Sequence, residues 1–194
     1  MRDVIWACWA IVVVTLIGGG LKAQLRRSRP LMQNPRTSLV WVIYGVIIGL
    51  VVQVVPRRVW TPLSVTGPEF QTAGVVLALV GSLWIVWSRQ TLGPQFTEAP
   101  TIGADHHLIT RGPYGITRHP IYSGALCLVT GTMMFSGFGQ WVPILIATAG
   151  VLWIKLRAEE RLLSHVYPAE YAQYRALVPA LIPRARCRPP AAEQ

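Results

Sequence analysis

The sequence predicts an all-α integral membrane protein, a helical bundle with about five transmembrane helices. Of its 194 residues, 52% are hydrophobic and only 13% are charged, whereas a soluble domain carries about a quarter charged residues. The apolar residues also form long runs, and a helix needs roughly 20 of them to cross the hydrocarbon of a bilayer. The length allows one compact bundle, so residues 1–194 are treated as a single membrane domain.

Five apolar runs are interpreted as membrane spans. They cover residues 4–21, 39–55, 70–88, 121–135 and 141–154. The first run leads into basic residues rather than a small-residue cleavage site, which favours a retained helix over a signal peptide. The first three spans form an N-terminal part, residues 1–88. Residues 89–194 then supply a long polar loop, a helical hairpin and a tail that is predicted to be helical from Lys155 to Tyr174.

The basic residues predict the orientation. With five spans, 15 lysines and arginines lie on the side that holds the long loop and the tail, and 3 lie on the other side. Because these residues accumulate on the cytoplasmic side, the N-terminus is predicted outside and the C-terminus inside. The expected location is the inner membrane of a prokaryote, with the functional site facing the cytoplasm. The net charge of +10 is explained by this topology, so no nucleic acid partner is expected.

Two further features concern packing. Gly45 and Gly49 form a GxxxG pattern on the second span, which permits close helix contact, either within the chain or at a homo-oligomer seam. The three cysteines show neither metal-binding nor disulfide spacing.

The polar stretch from His106 to Tyr122 is the first candidate site. It holds three of the four histidines at the mouth of the fourth span. Pro120 suits the first turn of a helix, and that turn is expected to expose backbone donors to an anionic group. Arg118 would add a bidentate carboxylate binder, and His119 and Tyr122 directional hydrogen bonds. The alternative is structural, with arginine and tyrosine anchored at lipid headgroups and Gly-Pro-Tyr forming a turn.

Glu159 and Glu160, just past the fifth span, form the second candidate. Adjacent carboxylates at a membrane boundary are often functional. Alternatively, they balance Lys155, Arg157 and Arg161 on the same helix.

A family resemblance joins these features. It rests on Gly112-Pro113-Tyr114, Arg118-His119-Pro120-Ile121-Tyr122, Glu159-Glu160, Tyr171 and Tyr174. From about residue 92 to residue 183, the chain resembles the isoprenylcysteine carboxyl methyltransferases and their phospholipid methyltransferase relatives. The resemblance implies S-adenosylmethionine as cofactor, bound on the cytosolic side between the fourth and fifth spans and the tail. The implied cofactor-binding positions are His106, Leu108, Tyr114, Arg118, His119, Pro120, Tyr122 and Glu160.

The chain departs from this pattern at Leu177. Carboxyl methyltransferases of prenylated cysteine carry an arginine just before the Val-Pro of the tail, where it meets the substrate carboxylate. Here Leu177 precedes Val178-Pro179, and Arg175 is two residues away. The resemblance therefore extends to the cofactor more securely than to the substrate.

The predicted function is methyl transfer from S-adenosylmethionine to a lipophilic small molecule or an isoprenylcysteine-like carboxylate, with membrane lipids as surroundings. The predicted catalytic residues are Glu160, as base for an amine, phenol or thiol acceptor, and Arg118. Two alternatives are an NADPH-dependent membrane reductase of the sterol-reductase type and a non-enzymatic membrane protein.

Overall fold

The computed structural model describes residues 1–25, 56–93 and 108–183. Five helices are labelled here α1 (Arg2–Leu25), α2 (Pro68–Leu92), α3 (Pro120–Ser136), α4 (Trp141–Val166) and α5 (Pro168–Leu177). Short helical turns cover Arg57–Trp60, Thr61–Leu63 and Gly112–Gly115. Strand pairing in the described residues is confined to an isolated bridge between Ser64 and Phe138. The predicted all-α class is confirmed for this part of the chain.

Two helices, α2 with 25 residues and α4 with 26, are long and apolar enough to cross a membrane. Helix α3 is also apolar but has only 17 residues, and α1 covers the first predicted span. Helix α2 ends at Leu92, so it continues past the predicted division of the chain at residue 88. The predicted second span and its Gly45–Gly49 pattern lie outside the described residues. The number of spans and the orientation stay predictions.

Helices α2 and α3 are in direct backbone contact. A Cβ at Gly74 would lie 2.6 Å from the carbonyl oxygen of Gly131, and a Cβ at Gly81 would lie 2.7 Å from that of Gly124. Only glycine leaves room for such an approach, as is usual between membrane helices. The two pairs recur at a spacing of seven residues, which differs from the four-residue spacing of a GxxxG pattern.

Helix α1 covers this pair from one side. Ile5, Cys8 and Val12 share a buried cluster with Ala78, Ile85 and Leu128 of the other two helices. The indole Nε1 of Trp9 also donates a hydrogen bond to Thr132 Oγ1 at 3.1 Å, so α1 contacts α3 as well as α2.

A tight turn joins α3 to α4, as predicted. Gly137 has φ 88° and its amide is bonded to Met133 at the end of α3. This left-handed conformation is unfavourable for other residues and ends the helix. The amide of Val65 donates to the carbonyl of Gly137 at 3.2 Å, which attaches the segment before α2 to the hairpin.

Helix α4 is continuous from Trp141 to Val166, through the predicted membrane boundary. Its buried residues recur at every fourth position, at Ile144, Thr148, Leu152, Leu156 and Glu160. One stripe therefore runs from the apolar part of the helix directly to Glu160.

The tail predicted to be helical from Lys155 to Tyr174 is helical, with one interruption. Tyr167 separates α4 from α5 with φ −123° and ψ 61°, outside the helical region. Pro168 follows it and begins α5, and a residue before proline is hindered from adopting helical geometry. The interruption turns α5 back towards the start of α3.

Candidate active site

Arg118 and Glu160 form an ion pair at the start of α3. Arg118 Nη2 lies 2.6 Å from Glu160 Oε1, and Arg118 Nε donates to the same oxygen at 3.0 Å. The side chains are only 9% and 11% exposed. Partial burial strengthens such a contact because solvent screens it less. The carboxylate that Arg118 was predicted to bind is thus one from the chain itself.

The tail docks on the same segment through its carbonyl groups. The amide of Arg118 donates to Pro179 at 2.8 Å, and the amide of His119 donates to Ala180 at 3.0 Å. The hydroxyl of Ser123 donates to the carbonyl of Leu181 at 2.6 Å. The donors expected to be exposed at the entrance to α3 are therefore partly occupied, which corrects that expectation.

The guanidinium of Arg118 completes this attachment. Its Nη1 donates to the carbonyl oxygens of Val178 and Arg175. With the bonds to Pro179, Ala180 and Leu181, four consecutive tail carbonyls, 178–181, are held by groups from residues 118–123. Arg118 thus links α3, α4 and the tail.

His119 lies between the two glutamates. Its Nδ1 is 3.4 Å from Glu159 Oε2 and its Nε2 is 3.5 Å from Glu160 Oε1. Burial lowers the pKa of His119, but the two carboxylates outweigh it and raise this pKa above its usual value. The ring stacks on Tyr122 with centroids 5.5 Å apart, and the hydroxyl of Tyr122 donates to Glu159 Oε2 at 2.9 Å.

A cluster of tyrosines holds α5 next to the Arg118–Glu160 pair. Tyr171, Tyr174 and Val178 are buried together and pack against Leu108 and Leu163. The hydroxyl of Tyr174 donates to the carbonyl of Tyr114 at 2.5 Å. Leu108 and Tyr114, two of the predicted cofactor positions, are therefore packed against the tail.

Two buried hydroxyls around the ion pair, Thr117 Oγ1 and the hydroxyl oxygen of Tyr171, make no hydrogen bond among the described residues. His119 Nε2 makes none either, although it lies 3.5 Å from Glu160 Oε1. An unsatisfied buried polar group is costly and calls for an explanation. A bound ligand that supplies partners is one such explanation.

The structure brings most of the predicted site residues together. Arg118, His119, Pro120, Tyr122 and Glu160 meet where α3, α4 and the tail converge, and His106 lies outside the described residues. Glu159 was part of the second candidate site but not one of the predicted cofactor positions. Sequence reasoning assigned no role to Ser123 or to the Tyr171 hydroxyl. The contacts of Ser123 and Tyr171 depend on the fold of the tail.

Leu177 stands where the family pattern has an arginine. It is the last residue of α5, and 61% of its surface is exposed. The side chain of Arg175 is exposed, while its carbonyl oxygen accepts from Arg118 at 3.1 Å.

Comparison with known proteins adds independent information. The phospholipid methyltransferase family matches residues 70–170 of the chain. Protein-S-isoprenylcysteine O-methyltransferase B of Arabidopsis thaliana is 32% identical over 117 residues, 57% of each chain. The cobalt-zinc-cadmium resistance protein CzcN of Cupriavidus metallidurans is 31% identical over 112 residues, which are 57% of this chain and 46% of CzcN. The chain thus spans about half the length of these curated relatives.

The fold has a solved counterpart. The eukaryotic intramembrane Ras methyltransferase ICMT (isoprenylcysteine carboxyl methyltransferase) superposes with a TM-score of 0.60 and 17% identity, covering 93% of this chain and 66% of that one. At this identity the likeness concerns the fold alone. Since the family match covers just over half of the 194 residues, the chain belongs to the phospholipid methyltransferase family.

Proposed function

We propose that the protein is an S-adenosylmethionine-dependent methyltransferase that acts on a lipophilic acceptor in the membrane. The observation that carries the proposal is the buried polar cluster of Arg118, His119 and Glu160, located inside the region that matches the family. Charges that served only to pack helices together would not be buried in this number, because each buried charge costs desolvation energy.

The residues present fit the cofactor in chemical type. S-adenosylmethionine carries an ammonium, a carboxylate and an adenosine, which need charged and directional polar partners. The cluster offers a carboxylate, a guanidinium and the imidazole of His119, with two buried hydroxyls, on Thr117 and Tyr171, that have no hydrogen-bond partner among the described residues. We propose that these groups, with Tyr122 and Pro120 at the start of α3, hold the cofactor. His106, Leu108 and Tyr114 remain proposed cofactor positions from the family resemblance.

The cofactor supplies an activated methyl group, so the protein mainly has to align the acceptor and exclude water. Arg118 keeps the α3–α4–tail junction closed and holds the carboxylate of Glu160 in one orientation. An acceptor carboxylate needs no base. For an amine, phenol or thiol, Glu160 is the proposed base, and Glu159 lies beside it with a 37% exposed side chain. Contacts with His119 and Arg118 lower the pKa of Glu160 to about 2. At Glu159, His119 and Tyr122 outweigh burial and also lower the pKa, so both side chains are carboxylates, the form that accepts a proton.

The acceptor is proposed to be lipophilic and to enter sideways between helices. Helices α2 and α4 carry exposed apolar side chains such as Leu83 and Trp153, as expected for surfaces in contact with lipid. We further propose a cytoplasmic site, since the basic residues favour that side. A reporter fused after Gln194 should be active only as a cytoplasmic fusion, and activity on the outer face would contradict this topology.

The function is tested by ligand binding to the purified protein. We expect saturable binding of labelled S-adenosylmethionine that unlabelled S-adenosylhomocysteine displaces and NADPH does not. Transfer of the labelled methyl group into the lipid extract of host membranes would then identify the acceptor class. Binding of NADPH in place of S-adenosylmethionine would overturn the proposal in favour of a reductase.

A further inference from the structure

The hydroxyl of Tyr171 is the polar group least explained by the packing. Tyr171 is 1% exposed, and its hydroxyl oxygen makes no hydrogen bond with the described residues. A phenylalanine would fill the same space without the cost of a desolvated hydroxyl. A buried tyrosine here therefore indicates a hydrogen-bond partner that is supplied when a ligand binds.

The surroundings of this hydroxyl define what the partner is. Burial raises the pKa of Tyr171, and so does Glu160, while Arg118 acts in the opposite direction with a smaller effect. The hydroxyl thus lies close to the Arg118–Glu160 pair, where the carboxylate has the larger effect on its pKa, but it makes no hydrogen bond of standard geometry to either side chain. A nearby carboxylate favours a cation over an anion.

The ion pair is arranged in a way that suits such a cation. Arg118 Nε, Arg118 Nη2 and His119 Nε2 all lie within 3.5 Å of one oxygen of Glu160, Oε1. Arg118 is further engaged by the tail carbonyls of Arg175 and Val178. A ligand carboxylate entering here would meet the carboxylates of Glu159 and Glu160 and an arginine already engaged by Glu160 and the tail. An ammonium would meet Glu160, whose hydrogen bonds and ion pairs among the described residues all use Oε1.

We propose that Tyr171 is a ligand-positioning residue whose hydroxyl oxygen, together with the carboxylate of Glu160, accepts hydrogen bonds from the ammonium group of the methyl donor. This inference rests on the proposed function. An ammonium has three donors and can reach both acceptors at once. Tyr171 would thereby orient the amino-acid end of the donor, and it would do so from the tail rather than from α3 or α4.

The test compares two conservative variants on the same helix. Tyr171→Phe removes the unpartnered hydroxyl, and Tyr174→Phe, one turn later, removes a hydroxyl that is bonded to the carbonyl of Tyr114. Each purified protein is titrated with S-adenosylmethionine, with decarboxylated S-adenosylmethionine, which keeps the ammonium, and with 5′-methylthioadenosine, which lacks the whole amino-acid end. The thermal melting temperature is measured in parallel.

We expect Tyr171→Phe to weaken both ammonium-bearing ligands by roughly ten- to a hundred-fold, as for a lost hydrogen bond to a charged group. Its binding of 5′-methylthioadenosine should match that of the unmodified protein, and its melting temperature should be equal or higher, because the desolvated hydroxyl is gone. Tyr174→Phe should lower the melting temperature and affect all three ligands by the same small factor.

Several results would overturn the inference. These are equal affinities for Tyr171→Phe and the unmodified protein, an equal loss for 5′-methylthioadenosine, or a loss limited to the ligand that carries the carboxylate. In each of these cases the unmodified protein still binds S-adenosylmethionine and the proposed function stands. An unmodified protein that binds none of the three ligands would instead refute the proposed function, and this inference with it.

Discussion

Arg118 and Glu160 are 42 residues apart in the chain, yet their side chains meet at 2.6 Å. Arg118 precedes α3 and Glu160 lies near the end of α4, so the contact closes the cytoplasmic end predicted for the hairpin. The same guanidinium holds the carbonyls of Arg175 and Val178. One side chain therefore determines where both α4 and the tail lie relative to the start of α3.

The first prediction follows from this relationship. Arg118→Ala should leave Glu160 partly buried without its partner and release the tail, at a cost of about 3 kcal/mol. We expect a lower melting temperature and faster trypsin cleavage after the exposed Arg175. Arg157→Ala is the matched control, because Arg157 is exposed and only stacks on Trp153 at 4.5 Å. Equal trypsin sensitivity of the two variants would show that the tail is held by other contacts.

The second prediction concerns pH. Glu159 and Glu160 outweigh the effect of burial and raise the pKa of His119. Tyr122 stacks on the ring, and Arg118 is bonded to the same oxygen of Glu160 that His119 Nε2 faces. Protonated His119 therefore stabilises the fold fully below about pH 6.5, and this contribution is lost as the pH rises through the raised pKa. The melting temperature should therefore fall as the pH is raised from 5.5 to 9.

His119→Gln should flatten that profile. His165→Gln replaces an exposed histidine of α4 and should keep the slope of the unmodified protein. If the slope survives in His119→Gln, another group is responsible for it.

The third prediction addresses the α2–α3 contact. In Gly131→Ala, the new Cβ would lie 2.5 Å from the Gly74 carbonyl oxygen and 2.6 Å from the Ala78 amide nitrogen. Because both are backbone atoms, the helices must separate, at a cost of about 1–3 kcal/mol. Gly150→Ala in α4 meets nothing within 4 Å and should be neutral or stabilising by about 0.5 kcal/mol. Thermal unfolding in detergent compares the two, and equal melting temperatures would contradict direct backbone contact.

The fourth prediction concerns the methyl acceptor. A substrate carboxylate left unpaired in a low-dielectric site costs several kcal/mol, which lowers turnover by orders of magnitude. With Leu177 at the position of the family's arginine, we expect low activity on prenylated cysteine analogues. Leu177→Arg should raise that activity, since residue 177 is exposed and adjoins the docked Val178.

Ala176→Arg adds the same charge one position earlier, also at an exposed residue, and should have no such effect. Robust methylation of a prenylated cysteine analogue by the unmodified protein would show that another cation, most directly Arg175, binds the carboxylate.

Much of the helical architecture was predictable because it depends on local properties. The runs at residues 70–88 and 121–135 correspond to α2 and α3, since apolar length and helix-ending glycines act within a few residues of sequence. The break at Tyr167 was missed even though Pro168 marks it, because the charged periodic pattern continues across the proline. The glycine contacts at Gly74 and Gly131 were missed because each needs a partner on another helix.

The sequence by itself determined the all-α class, the positions of its apolar helices and the residue types of the candidate site. Composition, run length and a motif with a family resemblance are all properties of neighbouring residues. Only the tertiary structure decided that Arg118 binds Glu160 and the tail carbonyls rather than an open anion site. It alone placed the Tyr171 hydroxyl beside that pair with no hydrogen bond to the residues that the structure describes. The physical reason is that hydrogen bonds and ion pairs are satisfied by whichever groups the folded chain brings within about 3 Å, and here those groups are separated by tens of residues.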